Sequence, residues 1–205
     1  MSAFDPSHRN ESLPARVTIA LYRISQAIHH IFREHGENLG LSPAQIQALL
    51  FLRYARPGVR TIGGLATRLG TSYATSSQVA DALERKRLVL RQALPEDRRT
   101  VTLHLTQEGE QKAEALNHIL QEIETAITSL PESDQQSLQR AAQAIVRRLQ
   151  QRGYVQVYEM CWNCTFFRRN AHPEDPQRPH HCAFVDAPLP EAETRLECPD
   201  FVPTD

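Results

Sequence analysis

The first 160 residues of this 205-residue chain contain no cysteine. The sequence also has no run of eighteen apolar residues, so no segment has the length that a membrane-crossing helix requires. Its opening stretch, Met1 to Ser12, is polar and lacks the apolar core of a secretory signal, which points to a cytoplasmic protein. No nucleophile–base arrangement stands out, and Gly63 and Gly64 fall inside an expected helix rather than at a strand-to-helix turn, which excludes a nucleotide cradle there. The chain is therefore not read as an enzyme. A formal net charge of −1 means that attraction to a polyanion has to be local. What is present suffices for one ordinary domain and a small appendage: 40% of residues are hydrophobic.

Residues 61 to 105 organise the rest. Thr61 to Leu69 predicts a short helix with Leu65, Ala66 and Leu69 on one face, stopped at Gly70, where a positive φ is wanted. A second helix is expected to start at Thr71 or Ser72, either of which can cap it, and to run to about Arg87 with Val79 and Leu83 buried. Leu88–Leu94 and Thr100–Leu105 read as strands, the second alternating Val101, Leu103, Leu105 against Thr100, Thr102, His104. The polar turn between them runs from Pro95 to Arg99.

Helix, turn, helix and hairpin, in that order, make a winged helix-turn-helix, whose second helix enters the DNA major groove. The fold class expected is mainly α with a small β-hairpin wing. Ser72, Tyr73, Thr75, Ser76 and Gln78 lie on the outer face of the second helix and suit base edges and phosphates. Arg98 and Arg99 at the hairpin tip suit a minor groove or the backbone. Between Arg60 and Leu105 eight basic residues, Arg85 among the candidate contacts, face four acidic ones, a local charge of about +4.

The run from Thr61 to Gly70 (TIGGLATRLG), the run from Val79 to Val89 (VADALERKRLV) and the run from Pro95 to Gly109 (PEDRRTVTLHLTQEG) resemble the multiple antibiotic resistance regulator (MarR) family. Asp97-Arg98-Arg99 followed by Leu105-Thr106 and Gly109 is the most diagnostic part. The likeness spans about residues 12–152. It implies a homodimeric repressor or activator bound to a double-stranded DNA operator, with Asp97 orienting Arg99. It also implies a small-molecule effector site between the dimer region and the DNA-binding lobe, for which the sequence names no residue.

The flanks follow the same pattern. Residues 1–11 read as a flexible arm. A helix from Pro14 to about Glu37 carries Val17, Leu21, Ile24, Ile28, Ile31 and Phe32 at helical spacing, with His29, His30 and His35 read as solvent or interface histidines. Ser42, Pro43 and Gln45 form a helix start that feeds Ile46, Leu49, Leu50 and Leu52 to the core, with Arg56-Pro57-Gly58 as its end. Thr106 caps a long helix with Ala113, Leu116, Ile119, Leu120, Ile123 and Ile127 along one stripe, ended at Leu130-Pro131. A last helix from Ser133 to Gly153 buries Leu138, Ala142, Ile145 and Leu149. The resemblance implies that residues 12–40 and 106–153 are a helical dimerisation region around a DNA-binding domain at 41–105, and the pattern is compatible with that, with an intrachain bundle as the other use of the same apolar surface.

From residue 154 to 205 the composition changes, with nine acidic residues against four basic, about −5, so this segment is not expected on DNA. Cys161, Cys164, Cys182 and Cys198 follow the spacing C-x2-C-x17-C-x15-C. In a reducing compartment such clustering favours metal or redox chemistry over structural disulfides. Four thiolates suit tetrahedral zinc or a [4Fe–4S] cubane with one cysteine per iron. Trp162, Phe166, Phe167, Phe184 and Phe201 can wall the centre from water. One close pair followed by two lone cysteines resembles the ligand spacing of high-potential iron–sulfur proteins and of small cluster-bearing subunits of glycyl-radical enzymes, and zinc ribbons ordinarily show two close pairs. A thiol–disulfide switch at Cys161/Cys164 stays open. His172, His180 and His181 are read as exposed loop histidines, with replacement of a cysteine ligand as the alternative.

Three functions fit these features. The first is a dimeric regulator whose DNA affinity is set by the cysteine centre. The second is an organic-ligand-responsive regulator with a static zinc staple. The third, from another class, is an electron-transfer protein, against which the basic wing argues.

Overall fold

Short polar caps set where most of the α-helices begin. The computed structural model describes residues 2–55, 59–93, 101–155, 161–194, 198, 200–202 and 204. The Asp5 carboxylate accepts from the Ser7 amide and opens α1 (Pro6–Glu11), so the arm expected at 1–11 contains a helix. Ser12 caps α2 (Leu13–Leu39), which ends in left-handed Gly40. Ser42 and Gln45 form a reciprocal capping box at the start of α3 (Pro43–Tyr54), as their spacing predicts. The stop expected at Arg56-Pro57-Gly58 lies outside the described residues.

Thr61 caps α4 (Ile62–Leu69) and Gly70 closes it at φ 61°, which glycine adopts without a steric penalty. Ser72 caps α5 (Tyr73–Arg85). Strands β1 (Val89–Ala93) and β2 (Val101–Leu105) pair antiparallel, with Val89 opposite Leu105. The expected alternation in β2 does not hold: Thr102 is buried as well as Leu103. Thr102 bridges back to Thr61, and its hydroxyl donates to the Gln92 carbonyl at 2.9 Å, so this polar residue is satisfied inside the fold.

Ile46, Leu49 and Leu52 of α3, Leu65 of α4, Leu83 of α5, Val89 and Leu103 of the hairpin, and Ala113 and Leu116 form one apolar core. Thr106 caps α6 (Gln107–Ala115). The first turn of α6 presses on the root of the hairpin, where a Cβ on Gly109 would overlap the Leu88 carbonyl oxygen. Gly109→Ala is expected to destabilise the protein by about 1–3 kcal/mol, the range for forcing extra volume into a packed site. Urea unfolding measures this, and an unchanged midpoint would refute the close approach.

The single long helix expected after Thr106 is instead broken. Residues 116–120 form successive three-residue turns before α7 (Gln121–Thr128). The amide of Leu116 donates to Ala113 and that of Ile119 to Leu116. Tightening to about three residues per turn sets Leu116 and Ile119 on the same side, and both are buried. Tyr54 and Glu114 both hold the Asn117 side chain at this break.

Helix α8 (Glu132–Gln151) starts at Pro131 rather than Ser133 and packs against α7. Leu138, Ile145 and Leu149, expected to be buried, are 37–40% exposed in the single chain. Val17, Leu21 and Ile24 of α2 are likewise exposed. The helical pattern is present, and these stripes lie outside the chain's own core.

The cysteine segment carries a three-stranded antiparallel sheet that the sequence did not reveal: β3 (Phe167–Arg168), β4 (His180–Cys182) and β5 (Ala187–Leu189). Among the described residues no helix is long and apolar enough to cross a membrane.

Candidate nucleic-acid interface and cysteine centre

Helix α5 is the better-exposed partner of the α4–α5 pair. The Ser72 hydroxyl accepts the Thr75 amide at 3.1 Å, which satisfies one of the open donors of the first turn. Ser72, Tyr73, Thr75 and Gln78 are exposed around this end. A helix N-terminus with unpaired amides and small hydroxyls suits phosphate oxygens, and an amide side chain one turn further suits a base edge. Arg85 is exposed at the far end of the same helix.

Ser76 does not belong to this face. It is fully buried, and its hydroxyl hydrogen-bonds that of Thr71 at 2.8 Å. It locks the turn between α4 and α5 and has no access to a base. In a helix whose buried face holds Ala80 and Leu83, a small residue four positions before Ala80 falls on the inside. A polar side chain alone does not reveal that.

Several arginines and a lysine counted as local positive charge are also committed elsewhere. Arg91 of β1 pairs with Asp81 and Glu84 of α5 and donates to the Ser77 carbonyl at 3.2 Å, bracing the helix against the hairpin. Lys86 donates to the Gly40 carbonyl and to Gln45. Arg60 donates to the Ala55 carbonyl at 2.6 Å. The local charge of about +4 therefore overstates the cations that α5 itself presents. Asp97, Arg98 and Arg99 lie outside the described residues.

The second site lies at the other end of the chain. Cys161 opens a 3-10 turn (Cys161–Asn163), and the Cys164 amide donates to the Cys161 carbonyl at 3.0 Å. Cys182 ends β4 opposite Phe167. The Phe201 amide donates to the Cys198 carbonyl at 3.2 Å. All four cysteines are half-buried and line one cavity of about 110 Å³ with Phe166, Phe167, Phe184 and Phe201. Four residues spread over 38 positions in sequence thus line one cavity.

His180 is buried rather than in an exposed loop. Its Nδ1 accepts the Asn170 amide at 3.1 Å, so Nε2 carries the proton and donates to Glu191 at 2.6 Å. With both nitrogens engaged it has no lone pair for a metal. His172 and His181 lie beside one another, 3.1 Å apart, at half-buried positions.

Helix α8 holds this module. The Arg147 guanidinium sits 3.8 Å from the centre of the Trp162 ring and 3.3 Å from the Glu191 carboxylate. Arg169 approaches the same indole at 5.2 Å. At about 100° per residue, Arg147 lies on the side of α8 opposite the stripe of Leu138, Ile145 and Leu149. One helix therefore has an apolar face towards solvent and an opposite face carrying the module. Sequence reading missed the roles of Arg91, Arg147 and Glu191 and placed His180 in an exposed loop, since each acts through a partner distant in the chain.

Burial pushes the Glu191 carboxyl up, but the hydrogen bonds and charges of His180 and Arg147 outweigh it and hold the group below its ordinary value of 4.5. A lowered carboxylate adds stability above its unfolded-state value and loses it as pH falls through the folded one. Thermal unfolding of Glu191→Gln is therefore expected to lose less stability than the parent below about pH 4.5. Parallel acid limbs for the two proteins would refute the assignment.

Residues 39–100 match the family model described as MarR family. Over 104 residues the chain is 31% identical to the HTH-type transcriptional repressor MdtR of Bacillus subtilis (strain 168), covering 51% of this chain and 66% of that protein, just under two thirds. Its fold is similar to that of a MepR–DNA complex of S. aureus, with 23% identity and a TM-score of 0.58, covering 64% of this chain and 97% of that one. It is also similar to the transcriptional repressor CouR bound to a 23-mer DNA duplex, with 26% identity and a TM-score of 0.55, covering 70% of this chain and 98% of that one.

Proposed function

We propose, from the match of residues 39–100 to the MarR family model, that the chain is a homodimeric, DNA-binding transcriptional regulator of that type whose operator affinity is set by its cysteine centre. The observation that carries the DNA role is the capped, exposed start of α5, with Ser72, Tyr73, Thr75 and Gln78 projecting from it. The likeness to a repressor with its DNA duplex supports the same reading. Residues 41–105 read the duplex, with α5 in the major groove, Arg85 on the backbone, and Arg98 and Arg99, oriented by Asp97, at the wing.

The dimer reading rests on the apolar stripes of α2 and α8. Val17, Leu21 and Ile24, and then Leu138, Ile145 and Leu149, leave more large apolar side chain in water than a monomer ordinarily tolerates. A second copy of the same chain covers them, with residues 12–40 and 106–153 as the interface. Two reading helices then meet two half-sites of a double-stranded operator.

The regulatory reading rests on α8. Its dimer-facing stripe and its module-facing Arg147 are on opposite sides of one rigid helix. A change in the cysteine centre that loosens Trp162 and Glu191 from Arg147 alters the support of the helix that sets the spacing of the two reading heads. Such a device works only if the two states differ in free energy of DNA binding.

The test begins with selection of duplex ligands from a random pool by the full chain, followed by titration across salt concentrations. Affinity should fall steeply with salt. Arg99→Ala should weaken binding to all sequences by about 1–3 kcal/mol, the scale of a charge-assisted contact. Gln78→Ala should instead change which sequences are preferred. Salt-independent binding, or Arg99→Ala binding as tightly as the parent, would overturn the DNA role.

A further inference from the structure

The cysteine cavity has a shape that discriminates between metal centres. A tetrahedral zinc site draws four ligands to about 2.3 Å from a single point. Among the described residues, which include all four cysteines, no three His, Cys, Asp or Glu side chains converge closely enough to hold one ion. The cysteines instead stand around a space of about 110 Å³. That is several times the room of about 10–15 Å³ that one water requires.

The walls fit the same conclusion. Phe166, Phe167, Leu189 and Phe201 give the thiols apolar surface, Phe184 and Val185 are exposed at its edge, and Glu193 and Asp200 complete the lining. An apolar shell on this scale limits the access of water to a cluster. His180, buried near Cys182, is spent on Asn170 and Glu191 and supplies no ligand, which leaves the four cysteines as the sulfur ligands of the cavity.

We infer that this cavity takes a [4Fe–4S] cluster, with Cys161, Cys164, Cys182 and Cys198 each bound to one iron, rather than a single zinc ion. Each thiol gives up its proton as its sulfur binds iron. Cys161 and Cys164 come from one turn and supply two adjacent corners, while Cys182 from β4 and Cys198 from the C-terminal segment supply the others. The inference deepens the reading of the module as the regulatory centre and rests on it for its biological role.

The experiment is purification of the full chain without air, with iron, acid-labile sulfide and zinc measured per chain. About four irons and four sulfides are expected, with a brown colour that air bleaches. Where the protein emerges without metal, reconstitution with ferrous and ferric iron in equal amounts and sulfide, without air, should restore both counts. Cys182→Ser should lose the iron while keeping its helical circular dichroism. One zinc per chain without sulfide overturns the inference. So does a metal-free protein that fails to take up iron on reconstitution, or one whose cavity holds an organic molecule instead. DNA titration with and without the cluster is read separately. Equal affinities would refute regulation by the centre and leave the cluster standing, whereas a missing cluster refutes the inference whatever the DNA result.

Discussion

Ile145→Glu is expected to abolish the proposed dimer and to weaken operator binding on the order of a hundredfold or more. Ile145 lies mid-way along α8, flanked on the same stripe by Leu138 and Leu149, and is 37% exposed in the single chain. A carboxylate there is harmless to the isolated chain, where water reaches it. At an interface between copies it becomes an unpaired buried charge, which costs about 3–5 kcal/mol. Twofold symmetry brings the substitution in from both copies. Every 1.4 kcal/mol is a tenfold change in affinity, so association falls by at least on the order of 10²-fold. Sedimentation equilibrium reads the mass, circular dichroism checks that the helices persist, and DNA titration at matched salt reads the consequence. A variant that sediments as the parent does would remove the stripe from the interface.

Ser76→Leu is expected to damage stability rather than sequence preference. Its hydroxyl is fully buried against Thr71, in the turn that fixes the angle between α4 and α5. The larger branched side chain, two heavy atoms bigger, has no room there, which costs about 1–3 kcal/mol for overpacking. The Thr71 hydroxyl also loses its partner, although Thr71 is exposed and water can replace it. Gln78→Ala is the contrast, because Gln78 is exposed and should leave the unfolding midpoint unmoved. If Ser76→Leu unfolds at the parent's denaturant concentration but selects different duplexes, Ser76 faces the groove after all.

These two cases show where sequence reading reaches and where it stops. The caps Thr61, Ser72 and Thr106, the stop at Gly70 and the pairing of the hairpin were legible, because each depends on neighbours within four residues or on strict periodicity. Ser76 was misplaced because its hydroxyl looks the same whether it faces a groove or a partner hydroxyl. The break after Ala115 was hidden because Leu116 and Ile119 suit both a 3.6-residue and a three-residue turn. Cysteine spacing pointed to one centre, and the fold does gather the four around one cavity. Arg91, Arg147 and Glu191 could not be foreseen, since each finds its partner from another element.

The chain contains a single tryptophan, Trp162, and it lies between two guanidinium groups, one ring away from the cysteine cavity through Phe167. Ultraviolet emission from unlabelled protein therefore originates at one known spot. Its colour follows whether the indole is shielded or wet, and its intensity follows any light-absorbing group that settles beyond Phe167. The molecule thus carries its own optical gauge of what happens at its C-terminal end, readable in a cuvette during a DNA titration.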